Sequence, residues 1–174
     1  MLAWGLGRWL GVDPGEQLFL SGTGLVVGIA ASLPLLLGLR WTLSTSFPPV
    51  RRLVEVVEDQ LGPLLASRSS VELAVLASLV GLAEEILFRG VVQVGLARVL
   101  PDAAALVLAS TAFGLAHFIT RAYALLAGMA GLYLGTLFLA QGNLLVPIVA
   151  HALYDFVALT YLVRRYRARD EVAS

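Results

Sequence analysis

The stretch GLAEEILFRG, residues 81–90, places two adjacent carboxylates and an arginine inside one of the most apolar parts of the chain. A charged side chain at the centre of a membrane helix costs about 2.5–3.5 kcal/mol on insertion scales, so it persists only when paired or facing a watery cavity. Glu85 and Arg89 are four residues apart and share a helix face, so we expect them to form an ion pair. Glu84 points about 100° away from Glu85 and is left free for chemistry.

The composition around this stretch is that of a membrane protein. Apolar residues make up 59% of the 174 residues and charged residues 14%, whereas soluble domains are about a quarter charged. The length fits one domain. A formal net charge of zero gives no reason to expect a nucleic-acid partner, and the absence of Cys excludes disulfides, thiolate metal sites and cysteine nucleophiles.

Long apolar runs predict an all-α, polytopic membrane helical bundle of about five transmembrane helices plus an amphipathic interfacial helix. The amphipathic helix is residues 47–66, where apolar positions at helical spacing lie opposite most of the charges. A soluble connector helix is the alternative for this segment. The predicted apolar helices are residues 18–39, 70–100, 103–118, 122–140 and 144–163.

This organisation divides the chain into an N-terminal interfacial segment at residues 1–17, a membrane-embedded domain at residues 18–163 and a basic, fraying tail at residues 164–174. Trp4 and Trp9 have the spacing of an interfacial segment. Arginines concentrate in the tail and between the first two spans, so the positive-inside rule predicts an external N-terminus and a cytoplasmic C-terminus. Because every basic residue is Arg, we expect a bacterial inner (plasma) membrane protein.

Three apolar helices each carry ionisable side chains. The chain has two histidines, His117 in FGLAHF and His151 in VAHALYDF. His151 and Asp155 are four residues apart and share a helix face. If these faces converge with that of Glu84, they form a cluster of imidazoles and carboxylates. Such a cluster is typical either of a zinc hydrolase or of a metal-free site in which Glu activates water.

The depth of these residues in the membrane raises a geometric question. Helix 103–118 places His117 near its cytoplasmic end, whereas Glu84 lies roughly 21 Å along a helix that begins at Ser70. Either the long helix begins later, or the 118–122 junction dips into the membrane, where protein or a water cavity must shield its backbone. A funnel open to the cytoplasm would accommodate both residues.

The candidate residues form three motifs that resemble those of a known family. Residues 84–89 match E-E-x-x-x-R, residues 113–117 match F-x-x-x-H, and residues 151–155 match H-x-x-x-N/D. In this order, each on an apolar helix, they resemble the CPBP intramembrane proteases, the group that contains the type II CAAX prenyl proteases and bacterial Abi proteins. The resemblance covers residues 84–155. It implies a CPBP-like domain that hydrolyses peptide bonds near the membrane surface.

The resemblance also implies roles. Glu84 would activate water, with support from Glu85 through Arg89, and the two imidazoles would orient the water or bind a divalent metal such as zinc. Asp155 stands where prenyl proteases often carry an oxyanion-stabilising Asn; as an anion it would instead ligate a metal or orient a histidine. The implied catalytic residues are Glu84, Glu85, Arg89, His117, His151 and Asp155. The implied metal ligands are Glu84, His117, His151 and Asp155.

Two other functions use the same residue types. A non-catalytic membrane partner, such as a bacteriocin-immunity or maturation protein, would keep the polar cluster as structure alone. A proton-coupled transporter would use buried Glu and His as a proton relay, but five helices without a repeat leave little room for alternating access. For the protease hypothesis, the expected partners are a peptide or protein substrate at the membrane and the lipid bilayer.

Overall fold

The structure, a computed structural model, describes residues 2–173, without the side chains of residues 2, 4, 172 and 173. The Trp4 side chain and residue 174 of the tail, both covered by the predictions above, lie outside the described residues. Every element within residues 2–173 is helical, as predicted. The elements are α1 (Leu2–Leu10), a 3₁₀ turn (Pro14–Gln17), α2 (Gly22–Ser44), α3 (Pro48–Leu65), α4 (Ser70–Glu85), a π-helical segment (Ile86–Gln93), α5 (Val94–Ala97), α6 (Asp102–Ala116), α7 (Arg121–Gln141) and α8 (Leu145–Ala173).

Three of the described helices, α2, α7 and α8, are long and apolar enough to cross a membrane. The predicted span 70–100 is a continuous helix made of α4, the π-helical segment and α5, and it carries the charges of the opening stretch. The remaining predicted span, α6, has 15 residues. Its length is about 22 Å, which is short of the roughly 30 Å hydrocarbon core. The bundle therefore combines three full-length apolar helices with one charged and one short helix.

Helix α8 is the centre of the bundle. It packs along both α2 and α4, while α6 packs along α7. The close approach of α4 to α8 depends on Gly81, because a Cβ there would lie 3.1 Å from the backbone nitrogen of Ala152. Small residues at helix contacts let backbones approach closely in membrane proteins. This contact holds the second half of α4 beside the first turns of α8.

The α6–α7 hairpin reaches only part of the way along the bundle. Arg89 donates to the carbonyl of Gly131 and Gln93 to that of Gly135, so the long helix and α7 run parallel with a constant offset of 42 residues. That offset places the start of α7 level with residue 79, well inside a helix that begins at Ser70. The junction between α6 and α7 therefore lies within the length of the bundle, and the long helix begins at Ser70 as predicted.

The basic tail differs from the prediction, since it is helical and packs on α3 instead of fraying. Arg165 and Arg169 contact the Glu58 carboxylate at 3.0 and 3.6 Å, and Glu58 is only 2% exposed. Arg167 donates to the carbonyls of Ala66 and Arg68 at the end of α3. A buried carboxylate needs cationic partners, and these contacts order the tail. These contacts could not be predicted from the sequence, because Glu58 resembles the exposed charges around it.

Gly62 is the point of closest approach between α3 and the tail, so we expect Gly62→Ala to destabilise the protein. A Cβ at Gly62 would overlap the ring of Tyr166, and such overpacking costs about 1–3 kcal/mol. The control is Gly38→Ala in α2, where a Cβ meets nothing within 4 Å and alanine favours the helix. Thermal unfolding in detergent measures both; equal midpoints would contradict the tail–α3 contact.

Candidate active site

The centre of the site is a buried ion pair. Arg89 Nη1 lies 3.2 Å from Glu85 Oε1, and the two side chains are 1% and 0% exposed. Arg89 Nη2 donates to the carbonyl of Gly131 at 2.9 Å, and the guanidinium carbon lies 4.6 Å from the centre of the Phe113 ring. The predicted ion pair is therefore present, and partners from α6 and α7 surround its cation.

The ion pair coincides with a local change of helix type. Glu85 ends α4, and Arg89 lies in the π-helical segment Ile86–Gln93. Single π-helical turns are rare and occur frequently at functional sites. Gln93, one turn further, is buried and donates to the carbonyl of Gly135 at 3.3 Å. Gln93 was not among the site residues predicted from the sequence, although Glu85, Arg89 and Gln93 follow one another at four-residue intervals.

His151, near the start of α8, is tied to the same ion pair. Its Nδ1 lies 2.8 Å from Glu85 Oε1. A carboxylate paired with Arg89 accepts hydrogen bonds, so Nδ1 carries the proton and donates it. Its Nε2 faces the two other carboxylates of the cluster. This atom lies 3.5 Å from Asp155 Oδ2 and 3.9 Å from Glu84 Oε2.

A hydrogen bond to the backbone orients the His117 ring in the same way. Its Nδ1 lies 2.8 Å from the carbonyl oxygen of Phe113, and a carbonyl only accepts, so Nδ1 carries the proton. Its Nε2 therefore faces the site and lies 3.5 Å from Glu84 Oε2. The Phe113 ring contacts both imidazoles, with centroid distances of 4.4 Å to His117 and 5.8 Å to His151.

Glu84 lies between the two imidazoles and is held less firmly than Glu85. Its Oε2 is buried and has no hydrogen-bond partner among the described residues. A buried polar atom without a partner costs free energy and marks a place where water or a ligand belongs. The structure thus brings together all six residues singled out from the sequence: Glu84, Glu85, Arg89, His117, His151 and Asp155.

The donor set has the chemistry of a metal site, and its Nε2 and carboxylate oxygen atoms lie 3.5–3.9 Å apart. Imidazole lone pairs and carboxylate oxygens are zinc ligands, and each imidazole has the kind of acceptor on its other nitrogen that metal-bound histidines have. Within residues 2–173, however, no group of three or more His, Asp or Glu side chains is placed to hold one ion. No step of the reaction considered below is therefore assigned to a metal.

The comparisons with known proteins agree with the motifs. Residues 66–157, just over half of the chain, match a family described as type II CAAX prenyl endopeptidase Rce1-like. The matched segment begins at the end of α3, contains all six site residues and ends two residues after Asp155. No curated protein and no solved structure matches the chain.

We expect Arg89→Ala to destabilise the protein by about 3–5 kcal/mol, because it leaves the Glu85 carboxylate buried without its cation. The matched control is Arg98→Ala, since the Arg98 guanidinium makes an exposed hydrogen bond to the carbonyl of Leu10 that is worth about 1 kcal/mol or less. Urea or thermal unfolding in detergent, followed by intrinsic tryptophan fluorescence, measures both variants. If both variants lost the same small free energy of unfolding, the ion pair would not be the structural centre of the bundle.

Proposed function

The chain belongs to the Rce1-like family of type II CAAX prenyl endopeptidases, and we propose that it hydrolyses peptide bonds within the membrane with Glu84 as the general base. One observation carries this proposal: the unpartnered Oε2 of Glu84 faces the Nε2 atoms of both histidines. A water molecule among these three atoms would donate a hydrogen bond to Glu84 Oε2. Its oxygen lone pairs would then be free to attack a carbonyl carbon.

In the proposed reaction, Glu84 alone accepts the proton and returns it. Glu84 takes a proton from the water while the water oxygen bonds to the peptide carbonyl carbon, and the carbonyl oxygen becomes an oxyanion. When the carbon–nitrogen bond breaks, Glu84 returns that proton to the leaving nitrogen. His117 and His151 hold the water in line, and general base catalysis of this kind contributes about 10²–10⁴-fold. Glu85 and Arg89 are positioning residues, because they act through His151.

The substrate class in this proposal is a peptide or protein segment that enters from the side of the α8 tail. The α6–α7 hairpin ends level with about residue 79, so the first turns of α4 and the second half of α8 extend past it. We infer an opening there that leads to Glu84 and Asp155, whose side chains are 26% and 22% exposed. With the Arg-rich tail in the cytoplasm of a bacterial cell, the opening faces the cytoplasmic side of the inner membrane.

Glu84→Gln should lower the rate of peptide cleavage by at least about 10²-fold, since an amide cannot take the proton from water. The protein should keep its unfolding midpoint, because Glu84 Oε2 has no hydrogen bond to lose. The matched control is Glu55→Gln on α3, an exposed carboxylate paired only with Arg51. Purified protein in detergent or nanodiscs is assayed with quenched fluorescent peptides, with and without a prenylated cysteine.

Full cleavage by the Glu84→Gln variant would rule out this mechanism. Absence of cleavage by the wild type under every condition, together with an unchanged cellular phenotype in Glu84→Gln, His117→Ala and His151→Ala, would favour the non-catalytic membrane partner. In that case the cluster would serve structure alone.

We expect cleavage to survive chelation, because Glu84 can activate water without a metal. Elemental analysis of active protein, followed by treatment with a chelator and re-addition of zinc, measures this. Stoichiometric zinc, together with loss of cleavage on chelation and its recovery on zinc addition, would instead show that the candidate ligands bind a metal. Those ligands are Glu84, His117, His151 and Asp155.

A further inference from the structure

Among the described residues, the cluster around Glu84 has no free hydrogen-bond donor for the oxyanion that peptide hydrolysis creates. The Nε2 atoms of both imidazoles face carboxylate oxygens at 3.5–3.9 Å, and the carboxylates of Glu84 and Asp155 offer acceptors. Both Nδ1–H groups are already used by Glu85 and the carbonyl of Phe113. A developing oxyanion needs a donor at about 2.7–3.1 Å, and the loss of one such donor typically costs about 10²–10³ in kcat.

The Arg89 guanidinium is not available for this task. Its side chain is 1% exposed and its Nη1 faces Glu85, while Nη2 donates to the carbonyl of Gly131. The Phe113 ring covers the guanidinium carbon at 4.6 Å. A substrate carbonyl would have to displace these partners to reach it. The donor must therefore come from a residue outside the six.

Tyr123 lies at the right place to supply it. The residue is in the first turn of α7, directly after the short junction that follows His117, and its N–H is capped by the Thr120 hydroxyl at 3.1 Å. Its ring lies edge-on to the His117 imidazole, with centroids 5.8 Å apart. The cap and the ring contact fix the phenol beside His117, at the end of the hairpin that borders the opening.

The hydroxyl of Tyr123 is also uncommitted. Among the described residues it makes no hydrogen bond, whereas the hydroxyl of Tyr133 donates to the carbonyl of Ala31 at 2.8 Å. Its ring contacts the imidazole whose Nε2 faces Glu84 Oε2, so the phenol borders the same cluster. A phenol is a hydrogen-bond donor that remains neutral well above pH 7.

We propose that Tyr123 is a catalytic residue whose hydroxyl donates a hydrogen bond to the oxyanion of the tetrahedral intermediate. This proposal rests on the proposed hydrolysis. Tyr123 thereby takes the task that the Asp155 carboxylate, an acceptor, cannot perform. The donor acts mainly after the carbonyl oxygen has gained its charge, so Tyr123 contributes to the rate of the chemical step and little to binding of the ground state.

The test is Tyr123→Phe, which keeps the ring beside His117 and removes only the hydroxyl. We expect kcat to fall about 10²-fold while KM changes less than about twofold, as for an interaction made in the transition state. A phosphinic peptide, whose tetrahedral phosphorus carries an anionic oxygen, should bind the variant more weakly by a similar factor. Tyr161→Phe, an exposed tyrosine further along α8, is the control and should match the wild type in all three quantities.

Different results of these experiments would distinguish the role of Tyr123 from the proposed peptide hydrolysis. Glu84-dependent cleavage with Tyr123→Phe at the wild-type kcat would overturn the role of Tyr123 and leave the protease function intact. Loss of kcat in Tyr154→Phe but not in Tyr123→Phe would also overturn it, since Tyr154 is the other phenol on which the charge of Asp155 acts. If the wild type shows no Glu84-dependent cleavage, both proposals fall together.

Discussion

The ion pair between Glu85 and Arg89 is the constraint on which the rest of the structure depends. Neither charge reaches solvent, and in a bilayer each needs partners from the protein itself. The carbonyl of Gly131 on α7, the ring of Phe113 on α6 and the imidazole of His151 on α8 are those partners. One pair on the long helix thus fixes three neighbouring helices around a point, and the candidate site forms beside that point.

Much of the fold could be predicted because apolar runs of membrane length leave few alternatives to helices. The predicted spans at residues 122–140 and 103–118 agree with α7 and α6 to within two residues at each end. The π-helical segment could not be predicted, since no local preference specifies its hydrogen bonding and tertiary contacts such as those of Arg89 surround it. The ordered tail depends likewise on Glu58, whose burial only the packing of α3 on α8 reveals.

The six candidate residues could be found from sequence because charges and histidines are costly in apolar helices and recur at four-residue spacing. Tyr123 gave no such signal. Tyrosine is common near membrane interfaces, and the closeness of its ring to His117 depends on how short the α6–α7 junction is. Gln93 was missed because its role appears only in the register between the long helix and α7, where it repeats the contact of Arg89 one turn later.

Two adjacent carboxylates acquire different roles through their surroundings alone. Glu85 Oε1 meets a guanidinium and an imidazole N–H, so it is committed and orients His151. Glu84 Oε2 faces the Nε2 atoms of the two imidazoles and has no hydrogen-bond partner among the described residues. An uncommitted carboxylate can accept a proton from water without first breaking a hydrogen bond. The ion pair that stabilises the bundle therefore leaves Glu84 as the carboxylate to which the proposed mechanism assigns the general base.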